Sequence, residues 1–265
     1  MRRLDEYHDA EEIADHTWRI DEHGMANCYL LIGAERALLI DTGCGAGFLP
    51  TCVRLLTDRP VTVAVTHRHP DHVGGAWEFG SYDAPAADIG MPYDLMCAPA
   101  VSEKMIRAAG ARAAYRSPGW HRPAVHAMKD GQSYDLGGRI IRTMSVPGHT
   151  RGSVAFIEDS ARRMFTGDDI NPCLWMHLPG CTSLERWREG ARKIMALADQ
   201  GYESWYGHGD GRQTAAQMHA MYDLVEKAIA ARKAGTLPKG KHPYPSASSM
   251  PYVYCNYANV LERHG

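Results

Sequence analysis

The stretch that decides the fold is Thr66-His67-Arg68-His69-Pro70-Asp71-His72-Val73-Gly74-Gly75. It follows Val61–Thr66 (VTVAVT), a β-branched run without strict alternation, which predicts a buried strand. In extended backbone alternate side chains share a face, so His67 and His69 point together and Arg68 points away. Pro70 keeps His69 extended, because its ring disfavours helical geometry in the residue before it. The chain can then turn and present Asp71 and His72 from the start of a short helix, while Gly74 and Gly75 let backbone pass close by. Ligand-type side chains at 67, 69, 71 and 72 can therefore surround a single small volume. A chance match to this pattern is expected in roughly three of a thousand such chains. No cysteine lies beside it, which argues against a closed, cysteine-rich structural zinc site.

Upstream, Thr17–Ile20, Ala26–Ile32 and Ala37–Ile40 are apolar, partly β-branched runs separated by turn residues, and predict a β-meander. Asp41-Thr42-Gly43 ends the last of them, and a helix is expected from about Phe48 to Thr57. Residues 81 to 125 are less regular; a helix near Val101–Arg112 is expected, then a loop, SPGWHRP, placed to hang over a site. A second β-rich block runs from Val125 to Thr166. Helical periodicity returns in Ser183–Leu197 and Gln213–Ala231, with the strand-like Tyr202–Tyr206 between them. The order strands–helices–strands–helices predicts two sheets, each covered by helices and packed as a sandwich. With no linker between the halves, residues 1–265 read as one domain carrying a helical, Tyr-rich C-terminal extension from about residue 211.

Composition narrows the function classes. Lys plus Arg is 29 against 31 Asp plus Glu, a net charge of −2, so general electrostatic attraction to nucleic acid is not expected. No run is apolar enough to span a bilayer, and the N-terminal MRRLDEYHDAEE lacks the apolar segment of a secretory signal. Seven cysteines without a C-x-x-C pair fit a reducing cytosol rather than a disulfide framework, so a cytoplasmic location is expected. Serine nucleophile chemistry lacks its G-x-S-x-G elbow. The near phosphate loop at 235–242 fails because His242 replaces the Ser or Thr, Pro238 interrupts it and a helix precedes it. Cys44, Cys173 and Cys181 are weighed as nucleophiles, with an unreactive buried or solvated thiol preferred for each.

The THRHPDHVGG segment resembles the signature of the metallo-β-lactamase superfamily of metallohydrolases. Val146-Pro147-Gly148-His149-Thr150-Arg151-Gly152-Ser153, Phe165-Thr166-Gly167-Asp168 and Tyr206-Gly207-His208-Gly209 resemble its later motifs in order and spacing. Asn27–Leu31 and Leu39–Gly43 match its opening strands. The resemblance covers roughly residues 17 to 210 and implies an α/β fold, the four-layer αββα sandwich. It implies two divalent metal ions: His67, His69 and His149 hold one, Asp71, His72 and His208 the other, and Asp168 bridges. Asp168 is preferred to Asp169 because it follows Thr-Gly as in the family. Asp71 also takes a catalytic role, orienting a metal-bound hydroxide and shuttling its proton. Asp41 is a candidate acceptor for a ligand histidine N–H. Zinc is the default metal for nitrogen and carboxylate ligands, and iron or manganese is also compatible.

The resemblance further implies a small-molecule hydrolase of the glyoxalase II or lactonase-like branch, acting on a thioester, lactone or other ester-like substrate. The alternatives are a phosphodiesterase or nuclease of the same superfamily, or a non-hydrolytic di-iron redox module. Asn171–His177, Trp77, Met25 and the 115–121 loop are candidates to line the pocket, against ordinary packing for each. Tyr244, Tyr252, Tyr254 and Tyr257 mark the C-terminal tail. Oligomeric state is not legible in the sequence.

Overall fold

The computed structural model describes residues 1–111, 122–237, 241–244 and 251–256. Its first sheet has eight strands in chain order: Arg2–Arg3, His8–Ala14, Thr17–Glu22, Ala26–Ile32, Ala37–Ile40, Val61–Ala64, Ser81–Pro85 and Ala124–Met128. The early strands pair antiparallel, and from Ala37–Ile40 onward the pairing is parallel. The second sheet has six strands, in the order Arg212–Gln213, Glu203–Tyr206, Arg163–Gly167, Val154–Glu158, Ile140–Ser145 and Ser133–Asp135. A third, three-stranded sheet pairs Cys173–Met176 with Tyr252–Asn256, and that strand with Lys241–Tyr244.

Alternation along the strands builds the layers. Tyr29, Leu31, Leu38 and Ile40 of the first sheet meet Ile141, Phe156, Phe165 and Trp205 of the second in one buried cluster. The intervening Leu30 and Leu39 turn outward onto Leu49, Cys52 and Val53 of the helix Leu49–Arg54. On the far side, Ala155, Ile157 and Met164 face the helices Leu184–Ala198 and Ala215–Lys233 through Trp187, Ala191, Ile194, Met218 and Val225. Each such aliphatic or aromatic side chain contributes about 1.5–3 kcal/mol on burial. Helix, sheet, sheet and helix are thus stacked as the expected αββα sandwich.

Several boundaries differ from the sequence reading. The helix expected over 48–57 is the shorter Leu49–Arg54, and the one expected over 101–112 is Pro99–Ala108, closed by Gly110 at φ +80°. Gln213 belongs to a strand; Thr214 caps the following helix in a reciprocal box with Gln217. The second β block begins one strand later than expected, because Ala124–Met128 completes the first sheet beside Ser81–Pro85. His8–Ala14 and Ser81–Pro85 carry acidic residues or proline, so neither announces itself as a strand. The 115–121 loop and Tyr257 lie outside the described residues.

Candidate metal centre

The candidate ligands emerge where strands of both sheets end along one edge of the sandwich. His67 follows Val61–Ala64, His149 follows Ile140–Ser145, Asp168 follows Arg163–Gly167, and His208 follows Glu203–Tyr206. That edge is stitched by backbone hydrogen bonds between the sheets: Val154 N–H donates to Thr66 O at 3.0 Å and Asn27 N–H to Gly207 O at 2.8 Å. His69 has the extended conformation expected before Pro70 (φ −90°, ψ 156°), and the turn Pro70–Val73 follows it.

The structure brings the seven residues into two adjoining groups. One ligand atom from each of His67, His69 and His149 lies within 4.8 Å of the others, and the same holds for Asp71, His72, Asp168 and His208. Asp168 stands between the groups. Its Oδ2 is 3.6 Å from His149 Nε2 and 3.1 Å from His208 Nε2, and its Oδ1 is 3.5 Å from His72 Nε2. Asp71 Oδ2 lies 3.7 Å from His72 Nε2 and 3.6 Å from His208 Nε2. Asp169 faces elsewhere, its Oδ1 accepting from the backbone N–H of His149 at 2.7 Å.

The outer nitrogens of His72, His149 and His208 are engaged. His72 Nδ1 lies 2.9 Å from Asp41 Oδ2, His149 Nδ1 2.6 Å from Trp175 O, and His208 Nδ1 2.8 Å from Met25 O. A carbonyl or carboxylate accepts only from an N–H, so each of these rings turns an unprotonated Nε2 inward when neutral. The Nε2 atoms of His67, His69, His72 and His149, and Oδ1 of Asp168, are buried and meet no hydrogen-bond partner. Buried polar atoms are rarely left so, and convergent orphaned lone pairs are what a cation needs. The residues present therefore fit divalent metal ions.

Electrostatics point the same way. Burial pushes His67 and His69 well below the ordinary imidazole value, and neighbouring histidines push them further, so their lone pairs are available. Burial also outweighs Asp168 at His149 and lowers it. In the second group burial opposes charge on His208, yet Asp168 and Asp71 prevail and raise it to about 9. Burial would raise the Asp168 carboxyl, but His208 and His72 hold it well below the usual range. Protons on the histidines balance these carboxylates where a cation would.

Sequence reasoning missed part of the support. Asp88 accepts from Arg68 N–H at 3.2 Å, Thr150 Oγ1–H at 2.7 Å and Gly152 N–H at 2.7 Å, tying the loop of His67 and His69 to that of His149. An acidic residue three places past a proline carried no signal for this. Gly207 has a plainer reason: a Cβ there would stand 2.6 Å from Asp168 Oδ1 and 2.7 Å from His72 Cε1. Of the pocket candidates, Trp175 is exposed and Trp77 buried. Trp175 joins His177 and Tyr254 in an aromatic cluster, with Tyr254 4.5 Å from His177 and 6.4 Å from Trp175 between ring centroids. Cys44 is no nucleophile candidate here, since burial drives its thiol far above the usual value. Among the described residues no helix is long and apolar enough to cross a membrane.

The chain is 30% identical over 171 residues to the acyl-coenzyme A thioesterase MBLAC2 of Bos taurus, covering 55% of this chain and 58% of that protein. It is 31% identical over 190 residues to the atrochrysone carboxyl ACP thioesterase of Aspergillus fumigatus, covering 69% of this chain and 50% of that one. The matches thus span about half to three fifths of these relatives' lengths. Among solved structures, a metallo-beta-lactamase from Pontibacter korlensis superposes with a TM-score of 0.58 at 16% identity, over 83% of this chain and 99% of that one. The profile of the metallo-beta-lactamase superfamily matches residues 22–204, and the chain belongs to that superfamily.

Proposed function

We propose that this chain is a hydrolase dependent on two divalent metal ions, zinc by default, that cleaves a small-molecule thioester. The observation that carries the reading is the convergence of orphaned, buried Nε2 and carboxylate atoms into two adjoining groups. The thioester class is supported by the two thioesterase relatives. His67, His69 and His149 would hold one ion, Asp71, His72 and His208 the other, with Asp168 between them. Such ions would supply Lewis acidity, lowering the pKa of coordinated water toward about 7 and polarising a carbonyl oxygen.

The remaining work belongs to the chain's own side chains. Asp71 is half-buried and reaches the surface of the cluster, where its Oδ2 can accept a proton from water and pass it to the leaving thiolate. Asp41 holds the His72 ring through Nδ1 and the Thr66 backbone N–H at 2.7 Å, so the two halves of the ligand loop keep one geometry. Trp175, on the strand whose carbonyl steadies His149, offers an aromatic wall together with His177 and with Tyr254 of the neighbouring strand.

The test is metal analysis together with a panel of acyl-coenzyme A thioester, lactone, β-lactam and bis-p-nitrophenyl phosphate substrates. The expected result is about two metal ions per chain, preferential thioester hydrolysis, and loss of turnover on chelation and in Asp168→Ala. Undiminished turnover by metal-free protein, or hydrolysis confined to the phosphodiester, would overturn the reading.

A further inference from the structure

Arg68 turns its back on the candidate metal centre and opens onto a separate cleft of about 450 Å³. That is the liquid volume of roughly 15 waters, within the range of small-ligand sites. The cleft lies between the last two strands of the first sheet, Ser81–Pro85 and Ala124–Met128, and the helix Pro99–Ala108, with Val73, Leu95, Pro99 and Val125 as apolar wall. Its polar end is built from buried groups. Arg68, 3% exposed, donates from Nε to Tyr82 Oη at 3.1 Å and from Nη1 to Asp88 O at 2.9 Å and Asp94 Oδ1 at 2.7 Å. Arg122, at the mouth, stands 3.8 Å from the other oxygen of Asp94. Trp77, only 6% exposed, also lines the cleft, and its indole N–H meets no acceptor. Ser102 adds a buried hydroxyl.

Charge and shape together select the occupant. Among the described residues the charged groups lining the cleft are Arg68, Arg122 and Asp94, so two guanidinium groups face one carboxylate. One positive charge is left over among them, beside a wall of aliphatic groups. A guanidinium fork pairs best with a planar oxyanion. We propose that the cleft is a second ligand site that takes a medium-chain aliphatic monocarboxylate. Its carboxylate takes the polar end of the cleft, meeting the Arg122 guanidinium that Asp94 holds only loosely at 3.8 Å, and its chain runs along Val73, Leu95 and Val125. The site is independent of the thioesterase reading, although a carboxylate is also what thioester hydrolysis releases.

The test is calorimetric titration of the full-length, metal-loaded protein with octanoate, octanol and octylamine as probes. Octanoate is expected to saturate one site, with octanol and octylamine at least tenfold weaker. Arg122→Glu, a change at a side chain 76% exposed, should weaken octanoate at least tenfold, and Ser102→Phe should block it by filling the cleft. His208→Ala, altered only at the metal centre, should bind octanoate as the parent does. No saturable binding, or binding lost in His208→Ala but kept in Arg122→Glu, would overturn the proposal. Because the readout is binding, it stands or falls separately from any loss of hydrolysis.

Discussion

His67 and His208 sit in one site with opposite acid–base habits, and the contrast makes metal-free protein pH-sensitive. His67, His69 and His149 are held below their ordinary value of 6.5, first by burial. Folding tolerates them fully above pH 6.5; below it the unfolded chain takes up protons that the folded one refuses, and stability falls. His208 is the reverse. Asp168 and Asp71 overcome burial and raise it to about 9, so its contribution is complete below 6.5 and is lost as pH rises through about 9. His72, raised by Asp168, Asp41 and Asp71 against burial, acts with it. Metal-free protein should therefore be most stable near pH 6.5 and lose midpoint temperature toward both 5 and 9. Metal should remove the alkaline fall, because a ligating imidazole has already given up its proton. Thermal melts from pH 5 to 9.5 with and without chelator check this; an alkaline slope unchanged by metal would contradict it. The donors of the site were legible because histidine and aspartate declare their chemistry wherever they stand. Their outer partners Met25 O and Trp175 O were not, since any residue brings a carbonyl and only tertiary structure aims it.

At the scale of elements, the helix Leu184–Ala198 shows how a periodic segment reaches the site. Its apolar spacing was plain in the sequence, and Ser183 caps it by accepting from Arg186 N–H. Less legible was what Trp187 does beyond filling the core. Its ring is fully buried, its Nε1–H donates to Asp169 O at 2.6 Å, and a Cβ on Gly148 would meet it at 2.3 Å. Asp169 in turn holds the His149 backbone N–H. Trp187→Ala should cost about 3–5 kcal/mol in urea unfolding, the usual range for emptying such a volume. It should also weaken metal retention, because the turn bearing His149 loses its backing. A loss under 1 kcal/mol would show that the helix docks without this side chain. Where alternation or 3.6-residue periodicity was strong, the element was readable; Ser81–Pro85 was hidden because Asp83 and Pro85 interrupt an otherwise inner strand.

On the scale of the whole molecule, the site depends on segments far apart in the chain. The sandwich followed from two β blocks separated by helices, yet the sequence carried no sign that residues 173–176 and 252–256 would pair in parallel. Short runs choose partners through the packed surroundings, and a tail rich in proline and tyrosine offers little periodicity. That pairing matters because Cys173–Met176 carries both Trp175 O, the partner of His149, and the indole that meets Tyr254. The C-terminal strand therefore braces one face of the candidate centre and adds a ring beside it. Tyr254 meets the rings of Trp175 and His177, so its removal should weaken substrate capture more than the chemical step. An aromatic contact is worth about 0.5–1.5 kcal/mol, which converts to roughly a two- to tenfold rise in KM. For Tyr254→Ala we expect that rise on an acyl-coenzyme A thioester with kcat changed less than twofold, while Tyr254→Phe stays near the parent. Steady-state kinetics on metal-replete protein separates the outcomes. A fall in kcat at constant KM would instead mean that the strand acts through the His149 turn, and that the aromatic cluster is structural support.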